Sequence, residues 1–122
     1  MATRTNVNSI RPKSSGEERL VVPWEASGIF TASAVIKDKP GLLGGVIVTV
    51  VGEGTADSIK VWDSPDADTT GDVELTRVTL AAGTNLGQQA IVMFPSPGVY
   101  AQLGIYVEMS SGAVLEYELY YR

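Results

Sequence analysis

The chain lacks two residue types on which many enzymes and metal sites depend. Its 122 residues contain no cysteine and no histidine. Without cysteine there is no disulfide, no thiolate nucleophile and no thiolate metal ligand. Without histidine, the commonest general base and the commonest metal ligand are missing, so Ser-His-Asp and Cys-His arrangements are impossible. We therefore predict a protein that is not an enzyme, with no catalytic residues and no cofactor.

Long apolar segments are also absent. No stretch approaches the roughly 20 apolar residues that a transmembrane helix requires, and the N-terminal residues show no apolar core of a secretory signal. The length fits a single domain that can bury a sizeable core without disulfides. These features predict no membrane partner, and the lack of cysteine suits a reducing cytoplasm.

Charge is distributed unevenly along the chain. The net charge is −5. Residues 1–19 contain four basic and two acidic side chains, namely Arg4, Arg11, Lys13 and Arg19 against Glu17 and Glu18. They therefore carry +2, which leaves −7 for the rest of the chain. An acidic body disfavours nucleic acid as a partner, because phosphate binding needs a basic surface.

The first 19 residues are mostly polar, and we interpret them as an extended, flexible arm. Arg4, Arg11 and Lys13 would lie on an acidic neighbour, although a solvated terminus explains the same composition. The first apolar cluster is Leu20-Val-Val-Pro-Trp24, in which Pro23 excludes a central strand. We predict an edge segment or an anchor here, with Trp24 as the pin and as an interface residue.

Residues 41–63 form the centre of the predicted fold. Val46 to Val51 are an unbroken β-branched run, which predicts a strand buried on both faces. Turn-forming residues follow, and Ser58 to Trp62 then alternate, with Ile59 and Val61 on one face. The pattern predicts a β-hairpin formed by these two strands.

Further alternating segments follow the same pattern. The predicted strands span 29–36, 73–80, 90–94, 98–100, 104–109 and 114–121, with a bulge near Thr76 and a hairpin formed by the last two. About seven or eight regularly spaced strands without a credible helix are typical of a sandwich, jelly roll or small barrel. We predict an all-β fold, a single antiparallel β-sandwich or jelly-roll-like domain over residues 20–122 preceded by the arm.

An acidic loop is the best candidate for a metal site. Asp63, Asp66, Asp68 and Asp72 lie within ten residues, and Ca²⁺ sites use several carboxylates from one loop. The spacing is not that of an EF-hand. A solvated turn is the favoured interpretation, and Ca²⁺ binding is kept as the alternative.

Two other groups of side chains suggest functions of different classes. Glycoside hydrolysis needs two carboxylates about 5–10 Å apart, and Glu108, Glu116 and Glu118 are placed on adjoining predicted strands. Ordinary solvent-facing positions explain these glutamates equally well.

A sugar-binding platform of aromatic side chains is the other possibility. Aromatic residues in the core and at a subunit interface would explain the same composition. Its candidate aromatic residues are Trp62, Tyr100, Tyr106, Tyr117, Tyr120 and Tyr121.

Three motifs resemble segments of small β-rich structural proteins of tailed-phage virions. They are Pro40-Gly41 followed by Val46-Ile-Val-Thr-Val, then Ser58-Ile-Lys-Val-Trp-Asp63 with its polar loop, and Pro97-Gly-Val-Tyr with Leu103-Gly-Ile-Tyr-Val. The likeness spans about residues 40–121 and is greatest to head decoration, or cement, proteins. It implies a non-enzymatic homotrimer that binds the major capsid protein and reinforces the capsid exterior, after assembly in the host cytoplasm. A head fibre, a tail component or a receptor- or carbohydrate-binding module is the alternative.

Overall fold

The computed structural model describes residues 24–52, 57–80, 86–110 and 114–122. Within these ranges the chain forms strands and no helix. The strands are β1 (Glu25–Ala26), β2 (Ala34–Lys37), β3 (Gly41–Val50), β4 (Asp57–Asp63), β5 (Val73–Leu80), β6 (Gln89–Met93), β7 (Val99–Ala101), β8 (Ile105–Met109) and β9 (Leu115–Tyr121). No helix in this part of the chain is long and apolar enough to cross a membrane.

The strands form two antiparallel sheets packed as a sandwich. Sheet A has the order β1-β9-β3-β6, and β7 pairs with β3 beyond the end of β6. Sheet B has the order β2-β8-β4-β5. When β6 and β7 are counted as one interrupted strand, each sheet has four strand positions, and most connections cross between the sheets. This is the arrangement of a jelly roll, so the predicted fold class is confirmed.

Both predicted hairpins are wrong. β3 pairs with β9, β6 and β7 in sheet A, whereas β4 pairs with β5 and β8 in sheet B. In the same way, β8 and β9 follow each other along the chain but belong to opposite sheets. Stacked sheets lie only about 10 Å apart, so a short connection can cross from one sheet to the other as easily as it can turn back.

The segment 29–36 is also not one continuous strand. Phe30 forms an isolated bridge with Tyr117 of sheet A, and β2 begins only at Ala34, in sheet B. The chain therefore changes sheet between these residues. Phe30 on one side of the crossing and Ala34 and Ile36 on the other are half-buried, whereas Ala32 between them is exposed.

The core lies between the two sheets. β3 contributes Val46, Val48 and Val50, which are buried, whereas Ile47 and Thr49 are half-buried and Val51 is exposed. The prediction that this run is buried on both faces is therefore wrong, because only the inner face is fully covered. The inner positions of β4 and β9 alternate as predicted. The predicted bulge is confirmed, because the β4–β5 register shifts where Thr76 pairs with Val61 and Glu74 pairs with Trp62.

Candidate interaction surface

The outer face of sheet A is the surface with the most distinctive composition. Strand pairing places its side chains in three rows across β6, β3 and β9. The rows are Met93–Gly45–Tyr120, Ile91–Ile47–Glu118 and Gln89–Thr49–Glu116. Ile91 and Met93 are 59% and 60% exposed. Neighbouring exposed apolar side chains on one face are typical of an interaction site.

The strands place two carboxylates on this face, those of Glu116 and Glu118. Glu25 pairs with Tyr121, which alternates with the outward-facing Tyr120, and the cation at the end of the face, Arg122, stacks on Trp24. The strands of sheet B contain four acidic and three basic side chains. Glu116 and Glu118 line a hollow of about 240 Å³ together with Ile47, Thr49 and Gln89. A basic partner is therefore favoured at sheet A and not at sheet B.

Trp24 packs at one end of this face, on its own chain. The Arg122 guanidinium lies 4.0 Å from the centre of the Trp24 ring, a cation–π contact. Gly44 and Gly98 leave room for the ring, since a Cβ on either residue would come within about 3.0 Å of it. Trp24 is thus an intramolecular pin, as predicted. Its proposed part in an intermolecular interface stays a prediction.

A hollow of about 310 Å³ adjoins this pin. It is lined by Trp24, Gly44, Met93, Phe94, Ser96 and Tyr120, which are mostly apolar. The sequence signal for this site was the pair Gly44-Gly45 within a β-branched strand, because glycine in a strand often marks a close approach. No local sequence pattern predicted the contact between Trp24 and Arg122.

We expect Trp24→Ala to lower the free energy of unfolding by about 2 kcal/mol, less than for a fully buried tryptophan because the side chain is half-buried. The substitution removes both the ring contacts with the two glycines and the contact with Arg122. Urea denaturation would measure the change. Trp24→Phe is the matched control and should retain most of the stability. An unchanged midpoint for Trp24→Ala would show that Trp24 does not pin the chain.

The acidic loop is organised by hydrogen bonds to the backbone. The carboxylate of Asp63 points away from the loop and accepts the N–H groups of Gln102 and Leu103 at 3.0 and 2.8 Å. The carboxylate of Asp66 accepts the N–H of Asp68, and that of Asp68 accepts the N–H of Thr70, at 3.0 and 3.1 Å. The hydrogen bonds from Thr70, first from its backbone N–H and then from its side chain, lower the pKa of Asp68.

The described residues contain no group of three or more acidic side chains that could hold a metal ion. Asp63, Asp66, Asp68 and Asp72 are all described, so the structure does not bring them together as a calcium site requires. Backbone capping in a turn accounts for the roles of Asp66 and Asp68.

The three glutamates of the hydrolase hypothesis do not adjoin as expected. Glu116 and Glu118 lie on β9 in sheet A, but Glu108 lies on β8 in sheet B. Glu108 accepts a hydrogen bond of 2.9 Å from the Trp62 indole N–H. The prediction of adjoining strands is wrong because the two strands belong to different sheets. Glu116 and Glu118 remain neighbours on one face.

The candidate aromatic residues are divided among several environments. Trp62 and Tyr106 are paired across β4 and β8 on the outer face of sheet B. Tyr117 is buried in the core, and Tyr120 lies on the outer face of sheet A. A single platform containing all of them is therefore excluded by the fold.

The remaining predicted interface residues, Arg4, Arg11 and Lys13, lie outside the described residues. Comparison of the chain with protein-family models, curated proteins and solved structures found no match.

Proposed function

We propose that this protein is a non-enzymatic structural component of a tailed-phage virion that binds the major capsid protein as a homotrimer and reinforces the capsid exterior. The observation that carries the proposal is the outer face of sheet A, where exposed apolar side chains and two carboxylates share a surface. Jelly rolls are common among viral capsid domains, which is support by analogy of fold alone. In an assembled particle this face would be covered by a neighbouring subunit.

The test combines a mass measurement with binding to particles. We expect a mass in solution of about three times that of the 12.9 kDa chain and saturable binding to empty expanded capsids of the phage that encodes it. Ile91→Lys with Met93→Lys should weaken assembly roughly tenfold, because two exposed apolar contacts would be replaced by charges. Both side chains are exposed, so the fold should be unaffected.

Val73→Lys is the matched control. Val73 is 64% exposed, as exposed as Ile91 and Met93, but it belongs to sheet B. We expect this variant to assemble and bind capsids as the parent does. A monomeric parent that does not bind capsids would overturn the proposal. Equal loss of assembly in both variants would show that the outer face of sheet A has no special part.

A receptor- or carbohydrate-binding module is the second candidate, favoured by one feature of sheet B. The hydrogen bond from Trp62 to Glu108 fixes the indole next to a hollow of about 160 Å³, lined by Ser58, Lys60, Glu108 and Ser110. An aromatic ring beside polar side chains suits sugar recognition. Binding on a glycan array that is lost in Trp62→Ala would favour this candidate over the capsid role.

A further inference from the structure

We propose that residues 1–13 of one copy dock on the outer face of sheet A of a second copy. The inference names the neighbour that covers this face and rests on the proposed homotrimer. The basic segment, which includes Val7 and Ile10, would meet two carboxylates and exposed apolar side chains on that face.

The charge of this segment is opposite to that of the two carboxylates on the face. Residues 1–13 contain Arg4, Arg11 and Lys13 and no acidic side chain. The outer face of sheet A presents the carboxylates of Glu116 and Glu118, and the cation at its end, Arg122, already stacks on Trp24. Sheet B, with basic and acidic side chains intermixed, offers no such contrast, and its Arg77 already pairs with Glu74 at 2.8 Å.

Both the segment and the face also carry apolar side chains. Val7 and Ile10 are the large apolar side chains among residues 2–13. On the outer face of sheet A, Ile91 and Met93 remain more than half exposed. They lie in the same rows of side chains as Glu118 and Tyr120. A segment that pairs its basic side chains with the carboxylates can therefore cover the apolar side chains beside them.

The direction of the chain at Trp24 indicates a second copy. Glu25 pairs with Tyr121, and Phe30 pairs with Tyr117, so the chain enters sheet A at its Tyr121 end. To reach Glu116 and Glu118 of the same copy, the segment before Trp24 would have to reverse its direction. Continuing along the direction of β1 leads away from the body, and residues 14–23 can extend up to about 33–36 Å. A neighbouring copy is then within reach.

Arm exchange of this kind is a head-to-tail contact. The donating surface is the N-terminal segment, and the accepting surface is the outer face of sheet A. Such heterologous contacts form a closed ring when the rotation between neighbours permits. Three copies would each donate one segment and accept one, which agrees with the proposed homotrimer.

Disulfide trapping tests the inference cleanly, because the chain has no cysteine of its own. Asn8→Cys is introduced into one chain, and Gln89→Cys into a second chain that carries a tag to change its mass. Gln89 is exposed, and its amide donates to Thr49 at 3.1 Å, so it lies in the same row of this face as Thr49 and Glu116. The two full-length chains are co-expressed, oxidised and separated without reducing agent.

The matched control replaces Gln89→Cys with Thr79→Cys. Thr79 is exposed and lies on the strand β5 of sheet B. We expect the mixed disulfide to form with Gln89→Cys and at least about five-fold less with Thr79→Cys. Adding Glu116→Gln and Glu118→Gln should reduce the mixed disulfide roughly threefold, since two exposed ion pairs would be lost. High salt should have the same effect.

Two outcomes would overturn the inference. Equal yields with Gln89→Cys and Thr79→Cys would show that the segment has no preferred surface. A disulfide that forms only within one chain carrying both Asn8→Cys and Gln89→Cys would place the segment on its own copy. Because no capsid is present in this experiment, a protein that binds capsids but forms no mixed disulfide would refute arm exchange alone.

Discussion

Replacing Tyr117 with alanine is expected to lower the free energy of unfolding by about 3–5 kcal/mol, the range for large aromatic side chains in cores. Tyr117 is 1% exposed and is the largest fully buried side chain of the described residues. Its ring stacks on Phe30 with centroids 5.7 Å apart, and its hydroxyl donates to the Ala32 carbonyl at 2.7 Å. The residue therefore fastens the segment that crosses between the sheets. Urea denaturation would measure the loss.

Tyr117→Phe separates the ring from the hydroxyl. It should cost only about 1 kcal/mol, the usual net value of one hydrogen bond. Burial, with a smaller contribution from Tyr106, raises the pKa of Tyr117. The unfolded side chain ionises near pH 10, so the stability of the parent should fall as the pH rises above about 10. Tyr117→Phe should lose less over that interval. A Tyr117→Ala variant as stable as the parent would show that the contacts of Tyr117 with Phe30 and Ala32 do not stabilise the segment that crosses between the sheets.

Replacing Asp63 with alanine is expected to cost about 2–4 kcal/mol, because it leaves partly buried backbone N–H groups without their acceptor. Asp63 is 9% exposed and accepts the N–H groups of Gln102 and Leu103, with a longer contact of 3.4 Å to Gly104. The loop has little room to find other acceptors, since a Cβ on Gly104 would lie 2.6 Å from the Lys37 carbonyl oxygen. Thermal or urea unfolding would measure the effect.

Asp66→Ala is the matched control for Asp63→Ala. Asp66 belongs to the same acidic loop, but it is exposed and caps only the N–H of Asp68. Its replacement should cost less than about 1 kcal/mol. If the two variants were equally stable, the hydrogen bonds of Asp63 would not tie the loop to the body.

Where polar and apolar side chains alternate, the existence of a strand and its buried face were predictable from the sequence, because both follow from a side-chain period of two. In the β-branched run of β3 there is no such alternation, and the degree of burial of its outer face was not predictable. The alternation of Ile59 and Val61 with Lys60 and Trp62 predicted which side chains of β4 enter the core, and they do. The slip near Thr76 predicted the bulge for the same reason. Strand partners were not predictable in this way. The period is the same whether the next strand turns back in its own sheet or crosses to the other one.

The role of Asp63 was missed for a related reason. Its neighbours along the chain suggested a loop carboxylate, but its partners at residues 102–104 are about 40 positions away. The surface composition of sheet A was hidden in the same way. Its three rows combine residues from β6, β3 and β9, and no local window of sequence contains them together.

The pairing of β3 has a consequence for how the protein is made. β3 lies between β9 and the β6–β7 pair. Val46 can therefore pair with Leu119, and Val48 with Tyr117, only after residues 115–121 have been synthesised. Sheet B is likewise incomplete until β8 has been synthesised. Among the described residues, β4 and β5 are the one pair of long strands that are consecutive in the chain and also hydrogen-bonded to each other. Neither sheet is complete until these late strands are present, so a chain that stops at Ser110 should show fast amide exchange in β3.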